Sequence, residues 1–297
     1  MESQEQKKGQ SDGDGSGDVH DGGTAEFVVM FGEVVCFGPT EWIAGKNGGQ
    51  RLVFTSGNSS LSFDLHHCVI RDWKVDGTLW APVFGVPAFW LPAHAAEAAY
   101  HVIKQDVTAD GILVTAERLF NRKISPKLEH LKVRHSILVS KDLRKIKIST
   151  VLIDAHNSET GGGGFTLGFR YQSFPANMGA KDGSILMIQN GKKYTYLRNL
   201  KRMVFVVGNT DSAQKMKKLF ECTDEPDLID NSTVVLCNPA SADQVTIKAF
   251  PEKAFGGYAV WDTPQHQVPT FEPFFHPVTI RDGEQAEFSI ELRAGKK

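Results

Sequence analysis

The sequence is short of cysteine. Its four residues, Cys36, Cys68, Cys222 and Cys237, form no Cys-x-x-Cys pair in 297 positions. Reduced, packed thiols are therefore expected, with no disulfide framework and no metal site. No apolar run is long enough to span a bilayer, and the opening residues Met1 to Glu5 lack the apolar core of a signal peptide. These absences make a soluble, cytoplasmic protein without a membrane partner the expectation. Charge of one sign is missing too: 33 Lys and Arg against 35 Asp and Glu give a formal net charge of -2. No global field recruits nucleic acid. The basic cluster Lys141, Arg144, Lys145 and Lys147 alternates with isoleucine and reads as a wetted strand face. Gly161 to Gly164 has neither the strand-loop-helix context nor the Lys-Ser/Thr of a phosphate-binding loop, and no cofactor motif is found elsewhere. No repeat of fixed period is visible, which weighs against a propeller. Helical spacing is scarce and is convincing only from Thr210 to Phe220, behind a capping residue.

What remains is a polar tail followed by short strands. Residues 1–24 are Gly, Ser, Asp, Glu, Gln and Lys with almost nothing to bury, so a disordered acidic tail is expected there, and residues 25–297 read as one β-sandwich domain. Apolar alternation recurs along that domain. Leu61 and Phe63 alternate with Ser62 and Asp64; Val133, His135, Ile137 and Val139 share a face, as do Ile146, Ile148 and Thr150. At the C-terminal end Phe288, Ile290 and Leu292 form a core face opposite Glu287, Ser289, Glu291 and Arg293. Asp76-Gly77, Asn190-Gly191 and Asp282-Gly283 supply residues that tolerate positive φ in hairpin turns. More than ten strands, one helix and no βαβ alternation predict an all-β fold, a large antiparallel sandwich.

Chemistry is suggested in few places. Glu272 stands among Phe271, Pro273, Phe274 and Phe275, where a carboxylate loses hydration unless something pairs with it, either a site or a structural salt bridge to Arg170 or another cation. Pro82, Pro87 and Pro92 predict an irregular loop carrying Phe84, Phe89 and Trp90, whose rings either stack on a sugar or close the end of the core. Phe169, Tyr171 and Ser173 fall on one face of a strand, with Arg170, Gln172 and Phe174 on the other. His135 lies on an apolar face, as a satisfied core histidine would. His66 and His67 are adjacent and point oppositely, which does not suit a shared metal. His156 and His276 lie beside turns.

This order of features resembles the aldose 1-epimerase, or galactose mutarotase-like, family, in particular its hexose-phosphate mutarotase branch. Three stretches carry the resemblance: VWDTPQHQVPTFEPFFHPVTIRDGEQAEF, VPAFWLPAHAAEAAY and LGFRYQSF. It implies a β-supersandwich in which a carboxylate base and an acid open a pyranose ring, with Glu272 as the base, His94 at the histidine of the proline-rich loop and Trp261 near the cleft. Two positions depart from the family pattern. Tyr171 stands where the acid histidine belongs, and a phenol with a pKa of about 10 is a poor general acid near neutrality. Ala98 stands where the family has a substrate-binding arginine. The resemblance thus names Glu272, Tyr171 and His94 as catalytic candidates and Trp90, Trp261, Arg170, Gln172 and His156 as substrate-binding candidates. The implied ligand is a sugar or sugar phosphate. A carbohydrate-binding protein with weak or no turnover is the leading expectation; an active mutarotase and a non-catalytic sandwich that binds a protein partner are the alternatives.

Overall fold

The computed structural model of the chain describes residues 26–30, 33–37, 51–64, 69–91, 100–123, 125–157, 159–174, 185–189, 192–196, 203–208, 232–237, 242–262 and 270–296. The expected tail at 1–24, the expected helix at 210–220, His66, His67 and the Asn190-Gly191 turn lie outside them.

Among the described residues twenty strands follow one another. The first ten are β1 (Glu26–Met30), β2 (Glu33–Phe37), β3 (Arg51–Ser56), β4 (Ser59–Asp64), β5 (Val69–Val75), β6 (Thr78–Leu91), β7 (His101–Val107), β8 (Gly111–Leu119), β9 (Leu131–Ser140) and β10 (Lys145–Asp154). The remainder are β11 (Gly164–Phe174), β12 (Ile185–Gln189), β13 (Lys192–Tyr196), β14 (Met203–Gly208), β15 (Thr233–Cys237), β16 (Asp243–Phe250), β17 (Phe255–Asp262), β18 (Thr270–Phe275), β19 (Val278–Arg281) and β20 (Gln285–Lys296). Among the described residues the only helical turns are short 3-10 turns at Pro126–Leu128 and Glu252–Ala254.

The strands form two sheets. Eleven make the first, in the order β14-β17-β18-β11-β6-β5-β4-β3-β1-β2 with β19 beside β11; nine make the second, in the order β13-β12-β15-β16-β20-β10-β9-β8-β7. Among the described strands all pairings are antiparallel except β1 with β3. The expected sandwich is the observed fold, and the alternation read from the sequence is what packs it. β9 is buried at every second residue from Leu131 to Val139, and β10 buries Ile146, Ile148, Thr150 and Leu152. β20 buries Phe288, Ile290 and Leu292 against them. From the other sheet Phe165, Leu167, Phe169 and Tyr171 enter the same core. Phe169 is its aromatic hub, stacked on Phe288 at 5.1 Å and edge-on to Tyr171 at 5.0 Å. Such offset and edge geometries suit the ring quadrupoles. Asp76-Gly77 and Asp282-Gly283 make hairpin turns with positive φ at both residues, as their sequence predicts.

Two expectations need correction. As far as Leu91 the proline-bearing segment is no loop, Pro92 lying outside the described residues: Pro82 and Pro87 lie inside β6, a 14-residue strand between β5 and β11. The strand tolerates them because its ladders are broken. Asp72, whose φ is +51°, stands opposite Pro82 between the Arg71–Val83 and Trp73–Ala81 pairs, and the register with β5 shifts just beyond, between Trp73 and Lys74. The register with β11 shifts again around Gly85, whose φ is +80°. Phe84 and Phe89, 2% and 1% exposed, are core residues rather than sugar platforms. The second correction concerns β4, whose alternation reads as a half-buried strand: Ser62 and Asp64, opposite its apolar face, are buried as well.

Candidate functional site

The outer face of the eleven-stranded sheet, the one turned away from the second sheet, carries a buried polar cluster. Strand alternation builds it. In β18, Phe271 and Phe275 join the inter-sheet core, so Thr270, Glu272 and Phe274 take the other face, and all six residues of the strand are buried. On the neighbouring β11, Arg170 pairs with Phe274 and Ser173 with Phe271, a register that sets Gln172 opposite Glu272. Arg170 therefore reaches Glu272 diagonally: its Nε lies 3.0 Å from Oε2. The Thr270 hydroxyl donates to Oε1 at 2.7 Å. Glu272 is 2% exposed, Arg170 8% and Thr270 0%; Gln172 beside them is half-buried. The Glu272–Arg170 pairing read from the sequence is present. Chemically the cluster offers carboxylate acceptors and a fixed fork of guanidinium donors side by side, the complement of a ligand rich in hydroxyl groups.

A second pair on this face was not foreseen. Arg71 Nε lies 3.0 Å from Asp64 Oδ2, both residues are buried, and the Ser62 hydroxyl donates to the Arg71 carbonyl. Arg71 pairs with Val83, which pairs with Phe174, so the pair shares the face of Arg170. By strand geometry the two arginine backbones are on the order of 20 Å apart. A recurring pattern could have revealed the second pair: a hydroxyl two residues before a carboxylate on one strand, as in Thr270-x-Glu272 and Ser62-x-Asp64, with an arginine on the adjacent strand.

Tyr171 is not brought to Glu272. Its neighbours in β11 alternate, so its ring turns into the core, where the phenol oxygen lies 2.9 Å from both Thr150 Oγ1 and the Phe288 carbonyl oxygen, within hydrogen-bonding distance of each. Thr150 Oγ1 also lies 2.7 Å from His135 Nδ1, completing a polar chain that links the two sheets. Burial pushes the Tyr171 phenol well above its ordinary pKa and lowers that of His135 to about 3. Both are neutral core groups, His135 as expected.

His156 is also apart from the cluster. Its Nδ1 lies 2.5 Å from the buried Asp154 carboxylate, and its ring rests 5.4 Å from Phe165. Phe165 is five residues before Arg170 on β11, roughly 16 Å along the strand. Burial acts to raise the Asp154 pKa, but hydrogen bonds from the His156 backbone and ring and from the Asp282 backbone outweigh it and hold the carboxyl below its usual range. This arrangement ties the β10–β11 connection to the β19–β20 turn. His94 lies outside the described residues. Trp90 is the penultimate residue of β6 and Trp261 pairs with Thr270 in the β17–β18 ladder.

The chain has the galactose mutarotase-like fold. No protein-family model matches the sequence, and no curated protein does; the likeness is seen in solved structures. The Slr1438 protein of Synechocystis sp. PCC 6803 superposes with a TM-score of 0.56 at 11% identity, over 89% of this chain and 99% of that one. Galactose 1-epimerase of Lactobacillus acidophilus NCFM gives 0.52 at 7% identity, over 89% and 95%. A galactose mutarotase related enzyme of Lactobacillus acidophilus gives 0.50 at 8%, over 83% and 98%. At such identities the likeness is one of fold.

Proposed function

We propose that this is a carbohydrate-binding protein of the aldose 1-epimerase-like kind, with weak or no turnover, whose sugar or sugar phosphate ligand sits over Glu272, Arg170 and Gln172. Trp90 and Trp261 belong to β6 and β17, the strands flanking β11 and β18, and are proposed as its aromatic contacts. The observation that carries the reading is the occupancy of the carboxylate: one oxygen of Glu272 accepts from Thr270 and the other faces Arg170. A carboxylate so engaged is well placed to hold a hydroxyl through shared donors and poorly placed to remove a proton. Tyr171, the residue at the acid's place in the resemblance, faces the core instead.

Two-dimensional exchange NMR on glucose, galactose and glucose 6-phosphate tests this in one sample. Line broadening without faster anomer interconversion is the expected result, and the broadening should vanish in Glu272→Gln. Accelerated interconversion that disappears in Glu272→Gln would replace this reading with an active mutarotase. Sharp, unshifted lines for all three sugars at millimolar concentration would overturn it.

A further inference from the structure

Three of the four most exposed large hydrophobic side chains among the described residues lie at one edge of the nine-stranded sheet. These are Ile103 (48% exposed) and Val107 (70%) on β7 and Leu119 (54%) at the end of β8. β7 ends the sheet, pairing with β8 on one side and with no described strand on the other. Gln105 and Val107 pair with Val114 and Ile112, whose side chains are in the core, yet both are exposed, so β7 overhangs the facing sheet. An edge of this kind is a template for another strand, and β7 has two features that discourage arbitrary pairing: a lysine at its centre and a bulge between Val102 and Lys104.

The strand is nevertheless complementary to itself. Antiparallel pairing with a second copy about a two-fold axis at Gln105 sets Lys104 opposite Asp106 of the other copy, and Ile103 opposite its Val107, each twice by symmetry. Sliding this register by two residues sets lysine against lysine or aspartate against aspartate. A slip of one residue leaves neither charge opposite its counter-charge. Within one chain Lys104 Nζ already lies 2.7 Å from Asp106 Oδ2, with both side chains about half exposed, so the two charges stand together on the surface. We propose that β7 is a homodimerisation edge, joining two copies of this chain into a continuous sheet through the Lys104–Asp106 register. A ladder this short buries less area than a standard stable interface, so the dimer is weak and reversible.

Sedimentation velocity of the full chain from micromolar to submillimolar concentration tests the proposal. The wild type is expected to pass reversibly from monomer to dimer. Lys104→Asp and Asp106→Lys, each alone, place like charges opposite one another and should remain monomeric, whereas an equimolar mixture of the two should form a one-to-one heterodimer. A wild type that stays monomeric throughout, single variants that dimerise like the wild type, or a mixture that stays monomeric overturns the proposal. Hydrogen exchange on the wild type gives an independent reading. The amides of 101–107 should slow as concentration rises, and unchanged rates would equally refute it.

Discussion

At the scale of the residue, Glu272 and Arg170 illustrate how a buried ion pair differs from two buried ions. Their attraction in a region of low dielectric offsets much of the cost of removing both from water, but neither is tolerated there alone. Arg170→Met is expected to destabilise the fold by roughly 3–5 kcal/mol, because it strips the carboxylate of its counter-charge. The joint change Arg170→Met with Glu272→Leu should cost far less, and urea unfolding of the three proteins measures the difference. If the pair is kept for a ligand rather than for stability, the double variant will be folded and blind to sugars. The sequence showed that a carboxylate stood among phenylalanines and that Arg170 and Glu272 could meet. Strand parity already separates Tyr171 from Arg170, but whether the core lay on the tyrosine's side was decided only when the second sheet packed there.

At the scale of the element, β6 is the strand whose sequence argued most strongly against it. Proline lacks a backbone N–H and is normally confined to edges and bulges, and β6 meets this rule locally, with bulges where its neighbours break register. Gly85 is part of that device: its φ is +80°, and a Cβ there would lie 2.4 Å from Ile148 Cδ1 of the opposite sheet. Gly85→Ala therefore combines backbone strain with overpacking and should lower stability by about 2–4 kcal/mol in chemical denaturation. Adding Ile148→Val should recover the steric part and leave the backbone part. No periodicity in the segment could have announced this, because a bulge is specified by two partner strands, one of them more than eighty residues away. By contrast β9 and β10 were legible from their alternation, and so was β20 apart from Ser289, which is buried although its parity sets it on the side away from the core.

At the scale of the whole molecule, the polar chain Tyr171–Thr150–His135 joins the two sheets through the core and makes the fold sensitive to acid. The His135 pKa falls from an unfolded value near 6.5 to about 3 because burial disfavours the cation. The unfolded chain thus binds a proton first, and the stability present above about pH 6.5 is lost progressively as pH falls towards 3, by at most about 1.4 kcal/mol per pH unit. Asp154, held low by its hydrogen bonds, adds loss in the same direction at the acid end of the range. Urea midpoints measured against pH should fall between pH 6 and 4.5, and His135→Gln should flatten that fall; an unchanged slope would assign the acid sensitivity elsewhere. By itself the sequence determined what local periodicity determines: an all-β class, which residues alternate inward, which turns take Asp-Gly, and where a carboxylate lacks water. Tertiary structure alone decided that prolines enter a central strand, that Ser62 and Asp64 are covered, that Arg71 has a carboxylate partner and that His156 is remote from Glu272. Each of these depends on which strands become neighbours and on what lies over each face, and those are properties of pairing between distant segments rather than of any one of them.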